Sequence, residues 1–531
     1  MMLTPYDTFS FAGSTHKKQK ELDKHHTLNL MISIPPLLPL MEDSLLMWVA
    51  ILIWLALVLL WTRRPKEPQQ IPFQRASRFR PEAVPKRIDT IVIGSGPGAC
   101  TCANLLAQSH YKVLMLEQHD VTGGGTHSFR EHGCEWDTGL HYSSTAMSLK
   151  TARPGAIMDY MTKGKQQFRQ FPEPYDEIFF PDGRSYPYMN GKEKTIDALV
   201  DDQELKQRVQ TYMDIYTDVH RGFVALFLSR ILPPCLQFLV RSRVNRYVLF
   251  RNVCPSFFLF VSTNDPRLIR LMQYGALTVR DVQNAVLTLG YSKEQLLAHC
   301  PKAPPGRDAN DTIQRLKAIL AHPIGDYGVQ PRDASMAAHG VTAQHYINGG
   351  SYTVGPTQNI SIHLTSVVRA YGGEVLVAAT VRKILVENGR AVGVQVSNTT
   401  DMEKMGPAAP ITEIRAKKVV CGTTAYNLYN NLLPQDLPVV QKFHDPNERT
   451  IRQSNGHLFV FCKISGDPDE LPDHNLWYFN GDELDTAFDE FYANPAQVRP
   501  PIVYIGFPCT KDPTWKKRFP GVSNCIVISD G

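Results

Sequence analysis

Ile91-Val92-Ile93-Gly94-Ser95-Gly96-Pro97-Gly98-Ala99 is the stretch whose reading decides the fold. An apolar strand runs into a glycine turn, and a helix follows, reading Cys100-Thr101-Cys102-Ala103-Asn104-Leu105-Leu106-Ala107. A second strand, Lys112-Val113-Leu114-Met115-Leu116, ends on Glu117. Strand, turn, helix, strand and acid together form the βαβ dinucleotide fingerprint, with alanine in place of the third glycine. Gly94 makes the tight turn, Gly96 lets backbone approach a pyrophosphate, and Ala99 permits close helix–strand packing. The helix start, with Gly98, offers free N–H groups and a positive dipole end to phosphates. Glu117 is placed to accept hydrogen bonds from a ribose, which favours FAD or NAD over NADP. Ser95 and Gln118 complete the candidate binding set.

A second glycine cluster, Gly123-Gly124-Gly125, comes directly after the ribose acid. It would bring more backbone N–H groups to the cofactor. The next block, His132-Gly133-Cys134-Glu135-Trp136-Asp137-Thr138-Gly139-Leu140-His141-Tyr142, reads as a short strand and a turn. His141 and Tyr142 follow that turn and are candidate catalytic residues. A histidine there could donate a proton to a substrate, or simply pack against the cofactor. No other catalytic residue is legible. There is no GxSxG elbow, no HExxH helix and no phosphate-binding GxxxxGK[ST] loop. The ten cysteines are scattered without paired CxxC motifs, so they read as reduced thiols and no metal site is expected.

These glycine blocks resemble the FAD-dependent phytoene desaturase and carotenoid isomerase superfamily. The resemblance continues at Asp326-Tyr327-Gly328-Val329, His345 to Gly350, Ala379-Thr380-Val381, Phe507 to Trp515 and Arg518 to Gly521. It covers residues 85–531 with gaps, and the distal blocks point to the retinoid-saturating branch. The resemblance implies an α/β fold: a doubly wound, Rossmann-like FAD-binding domain built from discontinuous segments, with an inserted mixed α+β substrate domain. It implies FAD as cofactor, with a backbone contact at Val381, and NAD or NADP as a possible electron donor. The implied reaction is saturation of the 13,14 double bond of all-trans-retinol. A carotenoid-type desaturase or isomerase, or an inactive lipid-binding protein on the same fold, remains the alternative. Expected partners are a retinoid or other polyene, a membrane and an unidentified electron donor. By resemblance, the location is the endoplasmic reticulum membrane.

The chain departs from the family in three places. A Pro-x-Gly-Gly turn is replaced by Tyr352-Thr353-Val354-Gly355-Pro356, and an Asn-Ala-Gly by Gly422-Thr423-Thr424. Nothing after Thr514 matches the glycine-rich element that closes such proteins. The chain stops just after the apolar run Cys525 to Ile528 and therefore reads as C-terminally truncated; loss of the closing element would expose the cofactor site, leave a sheet edge unpaired and leave little activity.

The 531 residues carry a net charge of +5 spread along the chain, so a nucleic-acid surface is unexpected. Residues 1–40 read as a disordered extension, and 41–88 as a membrane anchor and linker. Leu45 to Trp61 are seventeen unbroken apolar residues, which as a helix span about 26 Å, a short membrane crossing. The basic flank Arg63 to Arg80, against no Lys or Arg in 25–44, puts the chain after residue 62 in the cytosol. Residues 89–154 read as the first part of the FAD domain. Residues 155–345 read as a mostly helical substrate domain associated with the membrane. Residues 346–430 read as the second FAD part, and 431–531 as a truncated return to the substrate domain. Between Phe223 and Val261 apolar patches alternate with arginines, which suits either an interfacial segment or a core helix pair with a basic face. Thr380 to Val386 and Ala391 to Val396 read as a hairpin turning at Asn388-Gly389.

Overall fold

The computed structural model describes residue 68 and residues 71–231, 266–445 and 456–531. The expected N-terminal extension, the anchor at 45–61 and the apolar–basic stretch from 232 to 261 lie outside the described residues. Among the described residues, no helix is long and apolar enough to cross a membrane.

A five-stranded, all-parallel sheet forms the centre of the first structural layer. Its strands run in the order Ser77–Arg78, Glu374–Val377, Val113–Leu116, Thr90–Ile93, Lys418–Cys421. The uninterrupted apolar strands of the fingerprint are explained by burial on both faces. Val92, Val113, Met115 and Val375 point to one side, where they meet Ala99, Ala103 and Ala107 of helix Pro97–Gln108 and Ile360, Leu364 and Val368 of helix Gln358–Ala370. Ile91, Ile93, Leu114, Leu116 and Leu376 point to the other side. There they meet Ile384, Val394, Val396 and Ile414 of a three-stranded antiparallel sheet, Ala379–Glu387, Arg390–Asn398 and Thr412–Arg415.

The α/β Rossmann-like expectation holds, and the central sheet is assembled from distant segments. The doubly wound expectation holds in part: helices cover one face, while the other is covered mainly by antiparallel β-structure, joined by Leu428 and Leu432 of the helical turn Leu428–Leu432. The hairpin read at Asn388-Gly389 is the reason. Both turn residues take positive φ, Asn388 at 50° and Gly389 at 72°, and fold the chain back so that Glu387 pairs with Arg390. Its apolar face then fills the place a second helix layer would take.

A six-stranded mixed sheet lies further along the chain. Its order is His457–Ser465, Val522–Asp530, Ile502–Gly506, Asn475–Phe479, Asp176–Phe179, Ser185–Tyr188. Val522–Asp530 is an interior strand, hydrogen-bonded to His457–Ser465 on one side and Ile502–Gly506 on the other. The stretch read as mostly helical contributes three strands, Phe168–Gln170, Asp176–Phe179 and Ser185–Tyr188, ahead of the 29-residue helix Gln203–Ile231. That helix packs on Pro266–Gly275 and Met336–Tyr346 through buried residues such as Tyr212, Ile215, Val219, Leu271 and Tyr274.

Candidate cofactor and substrate site

The glycine turn sits at the carboxyl edge of the parallel sheet, where ligands of α/β folds bind. Gly94 takes φ +89°, a conformation that side chains resist, and its N–H donates to Leu116 O at 2.8 Å. Gly96 precedes helix Pro97–Gln108, whose start no side chain caps. A Cβ added at Gly96, Gly98 or Gly125 would meet no protein atom within 4 Å. Those three faces are open, and a Cβ would project into the space in front of the helix start. By contrast, a Cβ on Gly124 would come 2.9 Å from the Gly96 Cα, and Gly124 has φ +53°. Gly124 is therefore needed for the two glycine loops to touch, while Gly96 and Gly125 leave room for something else.

Ser95 ties the motifs together. Its N–H and its hydroxyl donate to Glu117 Oε2 at 2.8 and 2.6 Å, and its Oγ accepts from Gly123 N at 3.0 Å. Glu117 Oε1 accepts from His119 N at 2.9 Å. The buried carboxylate so accepts three protein donors and keeps lone-pair capacity for one further donor. Gln118 is exposed beside it, on a cavity of about 280 Å³ lined also by Arg78, His119, Ala378 and Thr399. Ala99 is buried against the sheet, closely faced by Gly422, where an added Cβ would meet the Ala99 Cβ at 2.5 Å. Glycine at 422 thus suits this chain's departure from the family pattern. Val381 is two residues beyond Ala379, whose N–H donates to Glu117 O at 2.8 Å. Its side chain packs beneath the parallel sheet and it pairs with Val396.

Asp137 has a structural place. Its carboxylate accepts from Ser128 Oγ at 2.6 Å, from Thr357 N and Oγ1 at 3.2 and 2.8 Å, and from the Tyr352 hydroxyl. It fastens the hairpin Ser128–Glu131/Cys134–Asp137 to the start of helix Gln358–Ala370. Burial raises its pKa against those donors. Two residues on, Gly139 packs on the glycine loop, with Leu140 N donating to Gly125 O at 2.9 Å.

From Gly139 the wall turns into a second cavity of about 260 Å³, lined by Leu140, His141, Tyr142, Asp326, Tyr346, Phe459, Trp477, Ile502, Tyr504 and Ile528, among others. The open glycine faces and this aromatic cavity are thus two sides of one chain segment. Tyr142 lies parallel to Tyr504, with ring centroids 6.2 Å apart. Its hydroxyl donates to Asp176 Oδ2 at 3.1 Å, and burial raises its pKa. Asp176 also receives His322 Nε2 at 3.0 Å and Asn475 Nδ2 at 2.7 Å. Asn475 Oδ1 accepts from Tyr504 at 2.8 Å and from Lys511, whose ammonium burial pushes down to about 8. This polar network underlies the cavity floor.

His141 enters the cavity with both ring nitrogens shielded and unpartnered. Burial pushes its pKa down to about 4, so it is neutral near pH 7 and a poor proton donor. Asp326, which sequence reasoning quoted only as part of a resemblance, is the acid that faces the cavity. It ends the turn His322–Asp326, and desolvation pushes its pKa up to about 7. Its only sequence signal is the Asp326-Tyr327-Gly328 block itself.

Residues 92–153 match the model of an NAD(P)-binding Rossmann-like domain. The all-trans-retinol 13,14-reductase of Macaca fascicularis is 29% identical over 464 residues, covering 85% of this chain and 66% of that protein. A Danio rerio protein named inactive all-trans-retinol 13,14-reductase is 26% identical, covering 84% of this chain and 66% of its own length. Phytoene desaturase of Neurospora crassa is 21% identical, with 80% and 62% covered. The chain spans about two thirds of the length of these curated relatives.

Proposed function

We propose that this chain, a homologue of the all-trans-retinol 13,14-reductases, is an FAD-dependent oxidoreductase that saturates the 13,14 double bond of all-trans-retinol to all-trans-13,14-dihydroretinol. The observation that carries the reading is the adjacency of two features. Gly125, one of three glycines with an open face, packs on Gly139, and Gly139 lines the aromatic cavity. The residues fit a dinucleotide: three Cβ-free faces, an uncapped helix start and a buried acid preset by Ser95.

FAD, when bound, supplies hydride chemistry, and NADH or NADPH is the proposed source of its electrons. The chain's own residues do the rest. The helix start and the two glycine loops hold the pyrophosphate, and Glu117 takes a ribose hydroxyl. Tyr142, Tyr346, Trp477 and Tyr504 give the alkene a flat apolar slot and keep water from the reacting carbons. At about 260 Å³ the slot is near the small end of ligand pockets, roughly 300–1,000 Å³. That favours a slender retinoid segment over a long carotenoid, whose desaturation or isomerisation is the weaker alternative. The proposal includes a membrane at the endoplasmic reticulum as the source of the lipid, with residues 45–61 as anchor; the support is their apolar run.

One relative bears the name of an inactive reductase, which favours a second reading: flavin or lipid binding without turnover. A single preparation separates them. Membranes expressing the chain are assayed for flavin absorbance and for dihydroretinol formed from all-trans-retinol with reduced nicotinamide. Flavin with product supports the reductase, flavin without product supports the inactive reading, and protein without flavin refutes the cofactor assignment.

A further inference from the structure

We propose that Asp326 is the proton donor of the aromatic cavity, delivering H⁺ from its carboxyl to one alkene carbon of the bound polyene. The inference rests on the reductase reading and adds a residue to it. Asp326 lines the same cavity as His141, Tyr142, Tyr346 and Trp477. Its carboxyl forms no hydrogen bond or ion pair among the described residues, whereas buried aspartates such as Asp137, Asp176 and Asp512 accept hydrogen bonds. Asp326 is an exposed residue of its turn and forms part of the cavity lining.

The turn is built to hold it there. Gly325 carries no side chain, and a Cβ would come 2.6 Å from the Trp477 ring. That close approach sets Trp477 against the turn, directly beside Asp326. His322, at the other end of the turn, is anchored to Asp176 at 3.0 Å.

The titratable groups around Asp326 come from every packed element. They are His322 and Tyr327 on and after its own turn, Asp176 and Tyr175 at the strand Asp176–Phe179, Tyr142 after the glycine turn, Tyr346 on helix Met336–Tyr346 and Tyr504 on strand Ile502–Gly506. Burial raises the pKa of all five tyrosines, and they stay neutral. Desolvation raises Asp326 to about 7, with Asp176 adding to the rise and His322 opposing it. A substantial fraction of Asp326 therefore carries its proton at neutral pH, as a general acid must. The other cavity candidates are worse placed. His141 is already neutral, and His457 lies at the start of the outer strand His457–Ser465, away from the Gly325–Trp477 contact.

The step balances. Protonation by Asp326 makes one C–H bond as the alkene π bond breaks. The second C–H bond would take a hydride, with its two electrons, from a bound reduced flavin, which would end oxidised. The Asp326 carboxylate regains its proton from water at the cavity mouth.

The test compares wild type with Asp326→Asn, which has nearly the same shape. Wild-type kcat is expected to fall as pH rises through about 7. The variant is expected to lose about 100-fold or more in kcat, the usual worth of general acid catalysis, with KM for retinol within about threefold. A second readout needs no turnover. Infrared difference spectra of flavin-free protein should show a carboxylic-acid band at about pH 6 that fades by about pH 8 and is missing in Asp326→Asn. A variant with wild-type kcat, or an Asp326 already ionised at about pH 6, overturns the inference. Flavin-loaded wild type that makes no dihydroretinol refutes the reductase reading instead, and the infrared band alone then decides whether Asp326 is held as an acid.

Discussion

Gly96→Val is expected to abolish flavin binding while leaving the flavin-free fold almost unchanged. Gly96 has φ −61° and ψ 166°, an extended conformation open to any residue, so the substitution adds no backbone strain. An added Cβ meets nothing within 4 Å, so no protein atom has to move for it. The remaining cost is at the helix start, where valine is a poorer N-cap than glycine by about 0.5–1.5 kcal/mol. Unfolding entropy of about 2.1 cal/mol/K per residue, over the roughly 460 residues from Gln70 to Gly531, makes that a melting shift of about 1 °C. A bound pyrophosphate, however, would face the isopropyl group instead of bare backbone. The assay pairs thermal melting of flavin-free protein with flavin content after reconstitution. Stoichiometric flavin in Gly96→Val would refute the cradle, and a melting point lowered by many degrees without flavin would show that the glycine serves the fold itself.

Glu117→Ala should weaken flavin binding by about 1.5–3 kcal/mol, the worth of a charge-assisted hydrogen bond, in a fluorescence titration. It should also lower the melting point of the flavin-free protein, because Ser95 N, Ser95 Oγ and His119 N lose their acceptor; an unchanged melting point would argue against that network. His141→Phe removes two shielded, unpartnered nitrogens and is expected to keep or raise stability and to cost less than about tenfold in rate, far below a general acid's ~100-fold; a larger loss would restore His141 as the donor. Three sequons test the cytosolic orientation read from the flanking charges, at Asn310, Asn359 and Asn398. Asn310 is the exposed one, and an endoglycosidase-sensitive mobility shift that vanishes in Asn310→Gln would put the domain on the luminal side.

The parts that could be read from sequence are those whose physics is local. Ile91 to Ala99 carries its strand, turn and helix start in nine consecutive residues. Asn388-Gly389 announces a hairpin because so few residues accept two successive positive φ angles. The direction in which the Glu117 carboxylate turns was not readable, because it depends on the Ser95 hydroxyl, 22 residues earlier in the chain. The cavity was beyond reach for a larger reason. Asn475 pairs with Asp176 across 299 residues, and Asp326 becomes a cavity acid only once those strands, Trp477 and Tyr504 surround its turn. No periodicity near Asp326 records that enclosure. The switch from a helical to a β layer on the second face was hidden likewise, since Ile384 and Val394 read the same against either.

The order of the strands also sets a schedule for the nascent chain. Every strand of the parallel sheet has been translated once Cys421 is made. The six-stranded sheet must wait for Val522–Asp530, which fills an interior position and brings Ile528 and Ser529 to the cavity wall. Until the ribosome releases that strand, His457–Ser465 and Ile502–Gly506 each lack a neighbour, and their apolar faces are open to wrong partners. Such long-range pairing is slow, because loop closure precedes any gain from contact. The strands that carry the glycine loops are thus made before the cavity they adjoin, which gives early flavin capture the chance to steady a half-made protein while Val522–Asp530 is still being threaded into place.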